Sequence, residues 1–114
     1  MNPTPTSDNY AKIIAETFKW KNTNPNDADK CFVALVNGKL VLATNSFDVL
    51  GISLDYDNDT NKSLVGLCGI IKVRDNGACS PGKKCDVANG LAVPGTKWFV
   101  IERTSANVVK ILYK

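Results

Sequence analysis

The chain has 114 residues and a formal net charge of +3, and its composition favours strands over helices. Val, Ile and Thr supply 26 residues and the unbranched helix formers Glu, Gln and Met only three, which predicts an all-β domain. The absence of histidine excludes Ser-His-Asp and Cys-His catalysis and any metal site that needs imidazole. Scattered lysines and arginines do not indicate nucleic-acid binding, and no apolar run approaches the ~20 residues of a membrane-spanning helix.

The beginning of the chain divides into two parts. Residues 1–9 are polar and rich in proline and threonine, which predicts a flexible arm ahead of one β-rich domain over residues 10–114. Residues 10–20 combine a helical spacing of apolar side chains with a strand alternation, so we expect a short helical turn followed by a strand. Residues 21–30 have the composition of a loop.

The first clear hairpin joins two apolar runs, residues 31–36 and 39–44, through an Asn-Gly pair at residues 37–38. This pair is preferred in two-residue type I′ turns and would place Val36 opposite Lys39. Both faces of the hairpin are apolar, whereas a sheet with one face in water alternates apolar and polar residues. We therefore expect other elements to cover both faces.

Further strands are expected at residues 49–54 and 64–74, and the Asp-Asn-Gly sequence at residues 75–77 predicts another hairpin turn. Residues 79–90 have the composition of a loop, with turn markers at both ends. The count of seven or eight mostly antiparallel strands is typical of a small β-sandwich or barrel.

A last hairpin is predicted for residues 97–103 and 108–113, joined by a four-residue turn. Its register places five large apolar side chains on one face, which we predict to form an oligomer interface. These residues are Trp98, Val100, Val109, Ile111 and Tyr113. In the alternative, the other sheet of a closed sandwich covers this face.

An acidic segment carries Asp55, Asp57 and Asp59 at the first, third and fifth positions of a calcium-loop pattern. Thr60 and Gly66 stand where that pattern requires glycine and a bidentate glutamate. A solvated connection between strands is the expected structure, and weak binding of a divalent ion is the alternative.

The cysteines do not have the spacing of a zinc site. Five residues separate Cys79 from Cys85, whereas paired zinc ligands are separated by two to four, and Cys31 and Cys68 lie within predicted strands. We expect either a loop-closing pair or two free thiols at residues 79 and 85, with no metal and no cofactor. The chain also lacks the common catalytic motifs, so no catalytic residue is predicted.

Several segments, in their order and spacing, resemble one known family. They are residues 15–20, 24–26, 31–33 with the following Asn-Gly turn, 49–53, 65–69, 73–79 with Cys85, 89–92 and 103–112. Together they resemble the autoproteolytic intramolecular-chaperone domain at the C-terminus of bacteriophage pre-neck appendage and tail-spike proteins. The resemblance implies a β-rich domain that forms trimers, helps a fibrous β-structure to assemble and is released by self-cleavage.

Two departures limit what the resemblance implies. The family's longer insertion after the strand with residues 51–53 is reduced here to residues 54–63, and residues 1–10 do not match the upstream segment that would carry the scissile bond. No catalytic residue can be transferred, and an enzyme is not expected.

The expected function is that of a structural component of a virus particle. It would be a small trimerising domain at a fibre or appendage tip, or a capsid decoration protein, located in the virion. Its expected partners are copies of itself and other virion proteins, without nucleic acid or membrane. The alternatives are a self-cleaving chaperone domain and a carbohydrate- or receptor-binding module, to which an aromatic content of 8% gives little support.

Overall fold

The structure is a computed structural model that describes residues 14–25 and 28–114. Its nine strands are β1 (Ile14–Lys19), β2 (Cys31–Val36), β3 (Lys39–Leu42), β4 (Gly51–Asp57), β5 (Lys62–Arg74), β6 (Lys84–Ala88), β7 (Leu91–Gly95), β8 (Trp98–Ser105) and β9 (Val108–Tyr113). The described residues contain no helix, and so none that could span a membrane. The predicted all-β class is confirmed, with nine strands instead of seven or eight.

Only part of the N-terminal segment can be compared with the predictions made for it. The arm at residues 1–9 and the domain boundary at residue 10 lie outside the described residues. Of the segment expected to begin as a helical turn, residues 14–19 form strand β1. In this part of the segment the strand alternation therefore prevails over the helical spacing, and it places the side chains of Phe18 and Trp20 toward the core.

All strands belong to one sheet with the order β3-β2-β4-β5-β9-β8-β6-β7, and β1 pairs with β5. Strand β5 is 13 residues long and connects the two halves of the sheet. Its first half pairs with β1 and β4, and its second half pairs with β9, in each case antiparallel.

The sheet curls until its two ends meet at the turn between β6 and β7. The amide of Phe32 donates to the carbonyl of Gly90 over 2.9 Å, and the amide of Gly90 donates to the carbonyl of Ala43 over 2.8 Å. Gly90 has a φ of +81°, and a Cβ there would lie 2.9 Å from Leu42 Cδ2. Glycine is favoured here because a side chain would strain this backbone angle and would displace the end of the Leu42 side chain.

Two clusters of buried side chains fill the interior. The main cluster lies inside the curled sheet and contains Phe32, Ala34, Ala43, Ile52, Ile71, Val73, Cys79, Cys85, Val87, Ala92, Trp98, Val100, Val109, Ile111 and Tyr113. The second contains Trp20, Ala28, Cys31, Val33, Leu40 and Val65. Strand β2 contributes alternate residues to each cluster. The expectation that both faces of the first hairpin are covered is therefore confirmed for residues 31–34, where the cover comes from the chain itself, whereas Leu35, Val36 and Leu42 near the turn are 38–42% exposed.

The turns predicted from Asn-Gly pairs can be compared with those in the structure. Val36 lies opposite Lys39 as predicted, and Asn37 and Gly38 both have positive φ, at 51° and 78°. The loop expected over residues 79–90 is wrong in its second part, because an Asn-Gly turn at residues 89–90 joins the short strands β6 and β7.

The hairpin turn expected at residues 75–77 is also wrong. After β5 the chain does not turn back on itself, because the place beside β5 is taken by β9. Asp75 instead makes an isolated parallel bridge with Ala92.

Candidate interaction surface

The five side chains predicted to form an oligomer interface lie in the core of the single chain. Trp98 is 5% exposed, and the other four are fully buried. The Trp98 ring lies 5.2 Å from the rings of both Phe32 and Tyr113, and the Tyr113 hydroxyl donates to the carbonyl of Leu50 over 3.1 Å. This corrects the predicted placement: the curled sheet covers this face, as in the closed-sandwich alternative.

A β-bulge in β8 decides which residues point outward near the last turn. Val100 lies opposite Ile111, whereas Glu102 lies opposite Lys110, so Ile101 is an extra residue. A bulge of this kind re-aims the side chains that follow it. Glu102 therefore moves to the outer face, and Arg103 moves to the inner face, the reverse of what regular alternation predicts.

The outer face of strands β5, β9 and β8 carries a row of partly exposed apolar side chains, here called the outer stripe. Its members are Ile70, Phe99, Ile101 and Leu112, with exposed fractions of 37–49%. Ile70 pairs with Leu112, and Leu112 pairs with Phe99, so the stripe crosses three adjacent strands. Such a contiguous apolar surface marks an interaction site more often than scattered exposed residues do.

Lysines border the outer stripe and are here called the basic rim: Lys72, Lys84 and Lys110. Lys84 lies opposite Phe99, and Lys72 lies opposite Lys110 one row from the stripe. Lys110 Nζ lies 2.9 Å from Glu102 Oε1, and this hydrogen bond and the lysine charge lower the pKa of Glu102. Lys72 and Lys84 keep the rim positive beside that pair.

The acidic segment of the sequence forms the end of the β4–β5 hairpin, and the turn itself covers only residues 58–61. Asp57 accepts hydrogen bonds from the Asp59 amide over 3.0 Å and from the Thr60 hydroxyl over 3.1 Å. Asp55 and Asp57 are exposed on β4. We call Asp55, Asp57, Asp59 and the 41% exposed Leu64 the acidic patch. Within residues 14–25 and 28–114, no three Cys, Asp or Glu side chains gather as metal ligands would.

Sequence reasoning missed an ion pair between Asp75 and Arg103. The Asp75 side chain is fully buried, and its Oδ2 lies 2.7 Å from a guanidinium nitrogen of Arg103. Burial alone raises the pKa of Asp75, but hydrogen bonds from Arg103 and from the Cys79 amide, together with the Arg103 charge, lower it overall. Only the bulge brings Arg103 to this side, and no signal in the sequence indicated it.

The four cysteines all lie within the described part of the chain, and none of them forms a disulfide. Burial, followed by the Asp75 charge, raises the pKa of Cys79 to about 11. Burial, followed by the charge on Cys79, raises the pKa of Cys85 to about 12. These two thiols are therefore protonated at neutral pH and poor nucleophiles.

A second exposed feature is the loop that follows β3. Phe47 is 91% exposed, and its amide donates to Asn45 Oδ1 over 2.9 Å, which fixes the loop. Beside it lies a groove of about 350 Å³ whose lining includes Leu35, Leu42 and Asp48.

No protein-family model matches the chain, and no curated protein matches it in sequence. Solved structures do match its fold. The C-terminal fragment of bacteriophage phi29 gene product 12 aligns with a TM-score of 0.72 and 18% identity, over 88% of this chain and 99% of the fragment. The pre-mature form of the same gene product aligns with a TM-score of 0.74 and 18% identity, over 90% of this chain and 21% of the longer one. The chain therefore has the fold of the C-terminal fragment of phi29 gene product 12.

Proposed function

We propose that this protein is a structural component of a bacteriophage particle, acting as an oligomeric β-domain of an appendage or fibre tip or as a decoration protein. The observation that carries the proposal is the fold that it shares with the C-terminal fragment of phi29 gene product 12, along almost the whole of both chains. The number three for the oligomer comes from the sequence resemblance to the phage appendage domains. Its partners would be copies of itself and other virion proteins, without nucleic acid or membrane.

The surface is compatible with an oligomer. The five residues first expected at the interface are internal, but the other face of the same hairpin carries the outer stripe. An interface commonly places such apolar residues at its centre and polar residues around them.

Sedimentation of the purified chain tests the oligomer. A trimer gives three times the 12.3 kDa chain mass. Gold-labelled antibody against the chain should mark appendages or the capsid of the source particle in electron micrographs. A monomer at every concentration, together with unlabelled particles, contradicts the proposal.

A structural role without catalysis is part of this proposal. Prolonged incubation of the purified chain followed by intact-mass spectrometry separates it from the self-cleaving chaperone. We expect the mass to stay constant, whereas a defined shorter product contradicts a purely structural role.

A second candidate function is recognition of a carbohydrate or receptor, and Phe47 is the observation that favours it. A fully presented aromatic ring with the polar side chains of Asn45 and Asp48 nearby offers an apolar face and hydrogen-bonding groups together. A glycan array separates the two functions: binding that Phe47→Ala abolishes supports recognition, and no binding by the wild type argues against it.

A further inference from the structure

We propose that the outer stripe of one chain binds the acidic patch of a second copy of the chain. The inference rests on the proposed oligomeric function and specifies the two surfaces that meet. Each surface includes an exposed residue of strand β5, Leu64 in the acidic patch and Ile70 in the outer stripe. These two residues are six positions apart, a distance of ~20 Å along an extended strand.

The apolar part of the contact comes from partly exposed side chains on both surfaces. Ile70, Leu112 and Phe99 follow one another across three strands, and Leu64 is exposed between β1 and β4. Removing such side chains from water drives association. The acidic patch thus brings an apolar residue to the apolar stripe.

The charges disfavour a symmetric contact of the outer stripe with itself. Two copies of the basic rim would bring Lys72 and Lys84 of each chain near lysines of the other, and juxtaposed like charges suppress a complex. Glu102 offsets only part of this repulsion: its carboxylate pairs with Lys110 over 2.9 Å and its charge also acts on Lys72, which leaves the rim of three lysines positive.

The acidic patch provides the opposite charge on the same molecule. Asp55 lies opposite the exposed Leu64, and Asp57 lies two residues further along β4. Lys62 lies opposite Asp57 and Lys19 lies opposite Lys62, so these lysines offset part of the acidic charge and the negative potential comes mainly from Asp55 and Asp59. The two surfaces are complementary in charge, because the outer stripe is bordered by lysines and Leu64 in the acidic patch is bordered by carboxylates.

The two surfaces are different, so the contact is head-to-tail. Each chain uses its outer stripe toward one neighbour and its acidic patch toward the other. A head-to-tail contact generates a closed ring when its rotation closes, which is the arrangement of a cyclic oligomer.

Charge reversal tests this contact. We would prepare one variant with Lys72→Glu and Lys84→Glu, another with Asp55→Lys and Asp59→Lys, and a third with all four substitutions. Sedimentation equilibrium should show that each two-site variant associates at least ten-fold more weakly than the wild type. The four-site variant should return to within a few-fold of it, because both charges of the contact are reversed together.

A matched control reverses two exposed lysines elsewhere, Lys21→Glu and Lys39→Glu, with the same change in net charge as in the first variant. It should associate like the wild type. Circular dichroism verifies that every variant is folded. If a charge variant fails to fold, Leu112→Asn provides the test instead, because it removes an apolar member of the stripe without adding charge. It should also weaken association.

The outcomes separate this inference from the proposed function. An oligomer that persists unchanged in both two-site variants, or a four-site variant that stays dissociated, overturns the contact and leaves the oligomeric function intact. A wild type that is monomeric at every concentration overturns both.

Discussion

Asp75 and Arg103 form a two-point ion pair, with the guanidinium nitrogens 2.7 Å and 3.1 Å from the two carboxylate oxygens. Arg103 also donates to the carbonyls of Cys79, Ser105 and Ala106, while the Asp75 carboxylate accepts the Cys79 amide. The pair thus joins the segment after β5, the loop before β6 and the turn between β8 and β9. Since a bidentate charged pair is geometrically specific, it fixes two connections, β5–β6 and β8–β9, relative to each other.

Replacement of Asp75 by Asn should destabilise the chain by about 2 kcal/mol at pH 7, because hydrogen bonds to a charged group are lost inside the structure. The folded pKa of Asp75 is below its ordinary value, so its contribution is present above pH ~4 and is lost as the pH falls through the folded pKa. Urea unfolding at several pH values measures the free energy of unfolding of both proteins. The difference between wild type and variant in this free energy should become smaller below pH ~4. The control is Asp59→Asn, at an exposed turn, which should change the free energy of unfolding little at any pH. A difference between wild type and Asp75→Asn that stays constant down to pH 2 argues against the ionic role of Asp75.

Ile111 and Leu112 are neighbours in β9 with opposite surroundings. Ile111→Asp should unfold the chain, because it replaces a fully buried side chain with a charge, at a cost above about 5 kcal/mol. Leu112→Asp should remain folded, because that side chain is 49% exposed. Circular dichroism with thermal unfolding distinguishes the two, and a folded, soluble Ile111→Asp monomer contradicts the core assignment.

The four thiols should differ in their reaction with iodoacetamide at pH 8. Cys68 is only half-buried and should be modified first, whereas Cys79 and Cys85 are buried and have raised pKa values. Peptide mass mapping of native and urea-unfolded samples measures this order, and unfolding should make all four reactive. Equal labelling of Cys79 and Cys68 in the native protein, or a native mass lower by two hydrogens, contradicts two protected free thiols.

Gly51 begins β4 where strands β4 and β5 approach closely. A Cβ at this position would lie 2.7 Å from Val65 Cγ1 and closer still to the carbonyl oxygen of Gly66, so Gly51→Ala should cost about 3 kcal/mol by forcing the backbone apart. Gly38→Ala is the matched comparison, since it meets no neighbour within 4 Å and is strained only by its φ of +78°. That change should cost about 1 kcal/mol in denaturant unfolding. Equal effects at both positions would contradict the steric argument.

The elements that were predictable from the sequence are those set by local chemistry. The Asn-Gly turn after Val36 fixed its register because its backbone angles and strand twist leave little choice. Strands β6 and β7 were missed although Asn89 and Gly90 were recognised as a turn, because the flanking runs are short. The partner of β5 depends on contacts with residues about 40 positions away, which no local pattern encodes.

The surface was less predictable than the strands. Alternation correctly grouped Trp98 with Ile111 on one face, but it could not indicate whether that face met water or the rest of the sheet. The bulge at Ile101 then reversed the alternation, so the outward position of Glu102 and the inward position of Arg103 emerged only from the structure.

The position of β9 also determines when the domain can form. This strand is the last of the nine along the chain, yet it lies between β5 and β8 in the sheet. During synthesis the second half of β5 therefore has no partner on that edge until residues 108–113 have left the ribosome. Folding should be slow, because its pairings join distant segments, and it cannot be completed before residues 108–113 are available. Until then the unpaired edge of β5 is where a nascent chain could aggregate, and where a chaperone would protect it.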